Sequence, residues 1–199
     1  MCKPASFVLT ENNVYWSLKT DSHDEILLEH DLRDSIAGKV QIVRCEITPP
    51  QGDYFLKPDE WNYRLDQDAV PEWYDAEKCE QRARLELNKW IKARVFQDVI
   101  GETEISDISV WVKKSQVKAY GSAQVNAYDS AHVEAYDSAH VKAYGSAHVE
   151  AYDSAQVKAY DSAHVTMSDQ AMTIRRIDNK VHIISPGDIE FIRAEVSAP

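Results

Sequence analysis

"HVEAYDSAHVKAYGSAHVEAYDSAQVKAYDSAHV" runs from His132 to Val165 and says nearly the same thing every eight residues. Six octads of the form Val-x-Ala-Tyr-(Gly/Asp)-Ser-Ala-(His/Gln) begin at Val117, Val125, Val133, Val141, Val149 and Val157. Alternation runs through each one. Ala at position 7, Val at 1 and Ala at 3 point to one side, and positions 8 and 2 to the other. Positions 8 and 2 hold Gln or His and Lys, Asn or Glu, so they face water. The inner face is small and dry, with Ser at a corner and Gly or Asp at the bend. One octad cannot bury such a face alone. Stacked octads can, because successive parallel rungs place like side chains in columns ~4.8 Å apart. The pattern predicts a β-solenoid.

The columns also bear on the coil length. With two octads per coil, position 8 sorts into Gln124, His140, Gln156 on one side and His132, His148, His164 on the other. Three octads per coil would scatter them. Position 2 sorts into Lys118, Glu134, Glu150 and Asn126, Lys142, Lys158, which leaves some like charges stacked. These columns favour a monomeric two-sided solenoid with 16 residues per coil. Tyr at position 4 then forms two columns at the coil edges, Tyr120, Tyr136, Tyr152 and Tyr128, Tyr144, Tyr160.

The flanks are read as caps, because a bare last rung would be an open sheet edge. "VTMSDQAM" from Val165 is a worn seventh octad, and Val181 and Ile189 keep the eight-residue spacing. "EISDISVWVKKSQ" is a strand-rich lead-in, with Trp111 large enough to plug an open end. The chain therefore divides into an α+β head over residues 1–99, a lead-in and N-terminal cap over 100–116, the octads over 117–164, and degenerate repeats with a C-terminal cap over 165–199.

In the head, "SFVLTENNVYWS" reads as two short strands about a turn at Glu11-Asn12-Asn13. Ser22 and Glu25 are spaced as a capping box, so a short helix starts at Ser22. "KVQIVRCEI" alternates like a half-buried strand and stops at Pro49-Pro50. "DAEKCEQRARLELNKWIKARVF" is the strongest helix, with Cys79, Ala83, Leu85, Trp90, Ile91 and Val95 on its apolar side.

The octad "AYGSAHV" resembles the Ala-Gly-Tyr-Gly-Ser-Thr-x-Thr repeat of bacterial ice-nucleation proteins, a family with β-solenoid repeats. Where that family has Thr-x-Thr, this chain has Ala-His-Val or Ala-Gln-Val, so the hydroxyl array is missing. The segments "CKPASFVLTENNVYWS" and "DQDAVPEWYDAEKCEQRARLELNKW" resemble an uncharacterised domain of phage and bacterial proteins that often precedes such repeats. That resemblance implies a phage or prophage setting. Phage tail-spike and secretion-spike proteins, whose Val-x-Gly octads form an intertwined trimeric β-helix, are a second similarity, one methyl away from Val-x-Ala.

The remaining composition excludes more than it selects. With 33 acids against 22 bases the formal charge is −11, most of it before residue 117, which disfavours direct nucleic-acid binding and anionic membranes. No apolar run approaches the ~20 residues of a membrane span. "MCKPASFVLT" lacks the pattern of a secretory signal, and Cys2, Cys45 and Cys79 lack zinc-type spacing, so a cytoplasmic location is expected, the host cytoplasm if the chain is phage-encoded. Cys2 would be an N-terminal nucleophile only after removal of Met1. His23 and His30, seven apart beside Asp24, Glu25 and Glu29, miss the metal-binding i, i+4 spacing and read as a solvated acidic helix. Asp66, Asp68, Glu72 and Asp75 have no partner base and read as turn, cap and surface residues. The His132, His148, His164 column reads as a solvated ladder, since parallel imidazoles ~4.8 Å apart do not converge on one ion.

No catalytic residue, cofactor or metal is therefore assigned. The expected function is a non-enzymatic interaction or scaffold protein whose solenoid presents the head, or the Tyr and His columns, to a protein partner. The Tyr edge could also join a second copy. The alternatives are a trimeric spike-like virion component, and an acidic decoy of a host nucleic-acid-binding or defence protein.

Overall fold

The structure is a computed structural model that describes residues 5–168, 171–177 and 180–184. It divides into two compact units, residues 1–96 and 97–199. The first holds β1 (Ser6–Leu9), β2 (Val14–Tyr15), α1 (His23–Glu29), β3 (Ser35–Ile36), β4 (Lys39–Val40), β5 (Val43–Thr48), β6 (Asn62–Leu65) and α2 (Ala76–Arg94). Four of these strands form an antiparallel sheet in the order β2-β1-β5-β6.

The expected turn after β1 is present, and Thr10 Oγ1 accepts from the Asn13 N–H at 3.1 Å. Ser22 caps α1, accepting from the Glu25 N–H. The stretch read as one half-buried strand from Lys39 is instead two. Lys39–Val40 closes a hairpin with Ser35–Ile36 across Ala37 and Gly38, both at positive φ. Only Val43 onward enters the main sheet, where β5 lies between β1 and β6 and consecutive residues Cys45, Glu46 and Ile47 are buried, so both of its faces are covered.

Helix α2 starts at Asp75, which accepts from the Lys78 N–H at 3.1 Å. Its buried side is Cys79, Ala83, Leu87, Trp90 and Arg94. Leu85, placed there by the sequence reading, is 69% exposed. It lies two residues from Ala83, about 200° round the helix, so it points away from the core. Trp90 and Trp61 pack edge to face with centroids 6.1 Å apart, and Tyr54 completes the aromatic cluster. Arg94 is a charged residue inside this core. It donates to Asp21 Oδ2 at 2.9 Å and to the Ser17 and Leu18 carbonyls, with its guanidinium 4.9 Å from the Trp90 ring centroid.

The strands continue with β7 (Val95–Gln97), β8 (Glu102–Ser106), β9 (Ser109–Lys113), β10 (Gln116–Tyr120), β11 (Gln124–Tyr128), β12 (His132–Ala135), β13 (His140–Ala143), β14 (His148–Ala151), β15 (Gln156–Ala159), β16 (His164–Met167), β17 (Met172–Ile177) and β18 (Lys180–Ile184). One sheet of the solenoid runs β8-β10-β12-β14-β16 and the other contains β9-β11-β13-β15-β17, all parallel. Val117 pairs with Val133 and Val133 with Val149, while Val125 pairs with Val141 and Val141 with Val157. The coil therefore contains two octads, as the column sorting predicts, and the solenoid has about five turns.

The interior is Ala and Val. Val117, Ala119, Ala123, Val125 and their equivalents through Ala163 are at most 2% exposed. Each octad bends in a four-residue turn, with the Tyr carbonyl accepting from the Ala N–H three residues on. Position 5 takes positive φ throughout: Gly121, Asp129, Asp137, Gly145, Asp153 and Asp161 lie between 51° and 65°. Only Gly, Asn and Asp visit this region readily. At Gly121 a Cβ would overlap the Asp107 carboxylate as it is placed here, so a side chain at that corner would have to displace it.

The ends correct two expectations. The lead-in is itself the first coil, because β8 and β9 pair in parallel with β10 and β11. Val110 and Val112 take the inward places, and Trp111 stands in register with Asn126 on the outward side, so it does not plug the bore. At the other end β16 and β17 complete a coil, but β18 returns antiparallel to β17, with Val181 opposite Arg176. The eight-residue spacing of Val181 is thus not another rung. Ile189 lies outside the described residues.

Deleting residues 125–140 removes one whole coil and leaves the remaining pairings intact. The shortened chain is expected to melt cooperatively at a modestly lower temperature. Ala135→Leu adds bulk to a filled column and is expected to cost about 1–3 kcal/mol. Asn126→Leu, on the outer face, should stay within about 0.5 kcal/mol of wild type. Thermal melts decide this. Loss of folding on the coil deletion, or a neutral Ala135→Leu, would contradict the interior described.

Candidate functional site

The solenoid repeats every outward side chain at the rung spacing, so its surfaces are ladders. Tyr120, Tyr136 and Tyr152 stack at one edge, with ring centroids 5.0 and 4.9 Å apart and planes within 12°. Tyr128, Tyr144 and Tyr160 stack at the other at 5.0 and 4.8 Å. Both predicted Tyr columns are therefore brought together. Their spacing is the strand spacing, imposed by the backbone.

The two edges differ in what their hydroxyls meet. Tyr136 donates to Glu134 Oε2 and Tyr152 to Glu150 Oε2, each at 2.6 Å. These charge-assisted bonds hold the phenols neutral, and both groups titrate above their ordinary range, chiefly for that reason. Tyr144 is also pushed up, by burial first and then by Tyr160. On its edge position 2 carries Asn126, Lys142 and Lys158, with no acid.

The His column is assembled in register, His132 beside His148 and His148 beside His164. It is not a uniform parallel stack. The His148 and His164 rings are 5.6 Å apart and tilted by 47°, and His132 Nε2 lies 3.6 Å from Glu150 Oε1 on the next rung. Among the described residues no group of three or more His, Cys, Asp or Glu has metal-holding geometry.

The corners contain an ordering that the repeat motif conceals. The Gly121 N–H donates to Asp137 Oδ2 at 2.9 Å, Asp137 N–H to Asp153 Oδ2 at 3.1 Å, and Gly145 N–H to Asp161 Oδ2 at 3.1 Å. Each Asp thus serves both its own bend and the corner one coil earlier. Ser138 and Ser146 hydroxyls donate to the Gly121 and Asp129 carbonyls in the same way. Gly or Asp at position 5 signals a bend, and only the coil register shows whose N–H the carboxylate receives.

The head's polar residues occupy structural positions. Buried His23 lies 3.1 Å from the Cys45 carbonyl and 3.4 Å from Asp66 Oδ2. His30 packs against Tyr15 instead, so the two histidines do not converge. Glu72 pairs with Lys39, Asp66 with Arg64, and Asp75 caps α2, where the Lys78 N–H holds its carboxyl below the usual range. Cys45 and Cys79 are buried free thiols, and burial pushes Cys45 far above the range of a reactive nucleophile. Cys2 lies outside the described residues. No helix among the described residues is long and apolar enough to cross a membrane.

No family model, curated protein or solved structure matches the chain.

The phenol bonds give a pH test. A raised phenol contributes stability in full below the free-phenol value of ~10, and loses it as pH climbs through the higher folded value. In an alkaline absorbance titration, part of the tyrosine is expected to ionise late. Glu134→Gln with Glu150→Gln should bring that part down toward ~10. Superimposable curves for wild type and variant would rule the carboxylates out as the cause.

Proposed function

We propose that this chain is a non-enzymatic interaction protein, in which a rigid solenoid presents repeated aromatic edges, or the head, to a protein partner. The observation that carries the reading is the pair of Tyr ladders, held at 4.8–5.0 Å along a backbone that cannot easily change its spacing. A Tyr already fixed by stacking loses little rotamer entropy when a partner covers it, and its ring contributes large contact area. The filled Ala/Val interior supports the same reading, because between these sheets the side chains serve packing alone. The resemblances of the octads and head add a phage or prophage setting to the proposal. Ice binding is left out, since the hydroxyl pairs of the ice-nucleation repeat are replaced by Ala and Val.

The Tyr128, Tyr144, Tyr160 edge is the one to vary, because position 2 beside it carries Asn126, Lys142 and Lys158, so the change leaves the Glu134 and Glu150 bonds of the other edge intact. Tagged full-length protein and a Tyr128→Ser, Tyr144→Ser, Tyr160→Ser variant can be compared in pull-downs from bacterial lysate at low and high salt. A partner retained by wild type in high salt and lost by the variant is expected. Equal retention by both would remove the aromatic edge from the proposal. Capture by both that vanishes in salt would move the function to the acidic head as a decoy surface.

A further inference from the structure

The two broad faces of the solenoid are chemically unlike. On the sheet containing β8, β10, β12, β14 and β16, the outward residues are Glu102 and Glu104, then Gln116 and Lys118, then His132 with Glu134, His148 with Glu150, and His164 with Thr166. Its single lysine is already engaged, lying 3.2 Å from Glu102 and 3.7 Å from Glu134. On the opposite sheet, β11, β13 and β15 present Gln124 with Asn126, His140 with Lys142, and Gln156 with Lys158. Lys142 and Lys158 are exposed neighbours in register, and neither has a carboxylate partner among the described residues. With Gln124, His140 and Gln156 they line a cleft of about 340 Å³.

We propose that these faces dock on one another in successive copies of the chain, the Glu/His face of one on the Lys/Gln face of the next.

Three features favour a second copy over an unrelated acidic partner. The signs are opposite. The pitch is the same on both faces, because both are spaced by one backbone ladder at ~4.8 Å, so a Glu134–Glu150 pair matches a Lys142–Lys158 pair rung for rung. The position-8 columns complement each other as well, since an imidazole and a Gln amide each donate and accept. A helical or irregular partner surface does not present groups at this pitch, whereas a second copy of the chain does so on both faces. The contact uses one patch on one copy and a different patch on the next, so it is head-to-tail and leaves both outer faces free to continue. Each face, five rungs by four residues, is only about 300 Å². That is far below a standard interface, so the association is weak, electrostatic and salt-sensitive. The contact is made by the sheet faces and not by the Tyr rings at the coil corners, although Glu134 and Glu150 also accept from the Tyr136 and Tyr152 hydroxyls.

Sedimentation velocity of the full-length protein tests it, at rising concentration, in ~0.01 M and ~1 M salt, where the screening length falls from about 30 Å to about 3 Å. Wild type is expected to sediment faster with concentration at low salt and as a monomer at high salt. Lys142→Glu with Lys158→Glu should abolish this at low salt. Glu134→Lys with Glu150→Lys should abolish it too, although it makes the chain less negative, whereas general charge repulsion would then predict stronger association. An equimolar mixture of the two variants should associate again. Thermal melts check that each variant folds, and Glu134→Gln with Glu150→Gln replaces the reversal if it does not. Wild type that stays monomeric at low salt overturns the proposal, as does a face variant that associates like wild type. Association lost only in the Tyr128, Tyr144, Tyr160 triple Ser variant would place self-contact at the aromatic edge and overturn it too.

Discussion

Parallel pairing of each octad with the octad sixteen residues on is the constraint from which the rest of this solenoid follows. Two short strands facing each other leave an interior only wide enough for small side chains, and Ala-Val-Ala on both sides fills it. A larger residue would force the sheets apart along the coil. Dry interiors of this kind satisfy the backbone through the ladder. Here the ladder runs on past the strands: Ser138, Ser154 and Ser162 N–H groups donate to carbonyls at the corner one coil earlier. Strand and bend are thereby tied into one hydrogen-bonded array.

The corners show how a strained backbone position is offset. Positive φ at a non-glycine residue costs on the order of 1–2 kcal/mol. Asp129, Asp137, Asp153 and Asp161 all adopt it. Asp137, Asp153 and Asp161 each gain a bond from a backbone N–H of the coil before, and a hydrogen bond to a charged group contributes about 1.5–3 kcal/mol when shielded from water, less at an exposed corner. Glycine avoids the strain but gives up that acceptor. The mixture of Gly and Asp at one position is thus a balance between two terms of similar size, tipped at Gly121 by the nearby Asp107 side chain.

Rigidity at the repeat also separates its surfaces by chemistry. Edges carry stacked phenols, one face carries carboxylates and imidazoles, and the other carries lysines and amides. Like charges stand next to each other on both faces, an arrangement that isolated strands would avoid and that backbone pairing enforces. The head is organised differently. Its core encloses the Arg94 guanidinium, whose charge is met by Asp21, two carbonyls and the Trp90 ring, so the loop before α1 is tied to the end of α2.

Much of this was legible along the chain. The octad period, the inward Ala-Val-Ala face, the bend at position 5, the Tyr columns and the two-octad coil are properties of side-chain alternation and of which residues tolerate a bend, and both are local. Helical spacing even carried the information that Leu87 rather than Leu85 faces the core. What the sequence could not supply were contacts between residues brought together only by folding. The lead-in lacks the octad motif yet forms the first coil, because β8 and β9 need only alternate and pair, not repeat. The run past residue 164 keeps the period, yet β18 turns back antiparallel, since the link from Ile177 to Lys180 is too short for a parallel return. Burial of Arg94, the tilt of the His rings and the carboxylate that serves the neighbouring coil's N–H depend likewise on partners sixteen or seventy residues away. Alternation decides which way a side chain points; only the packed fold decides what it meets.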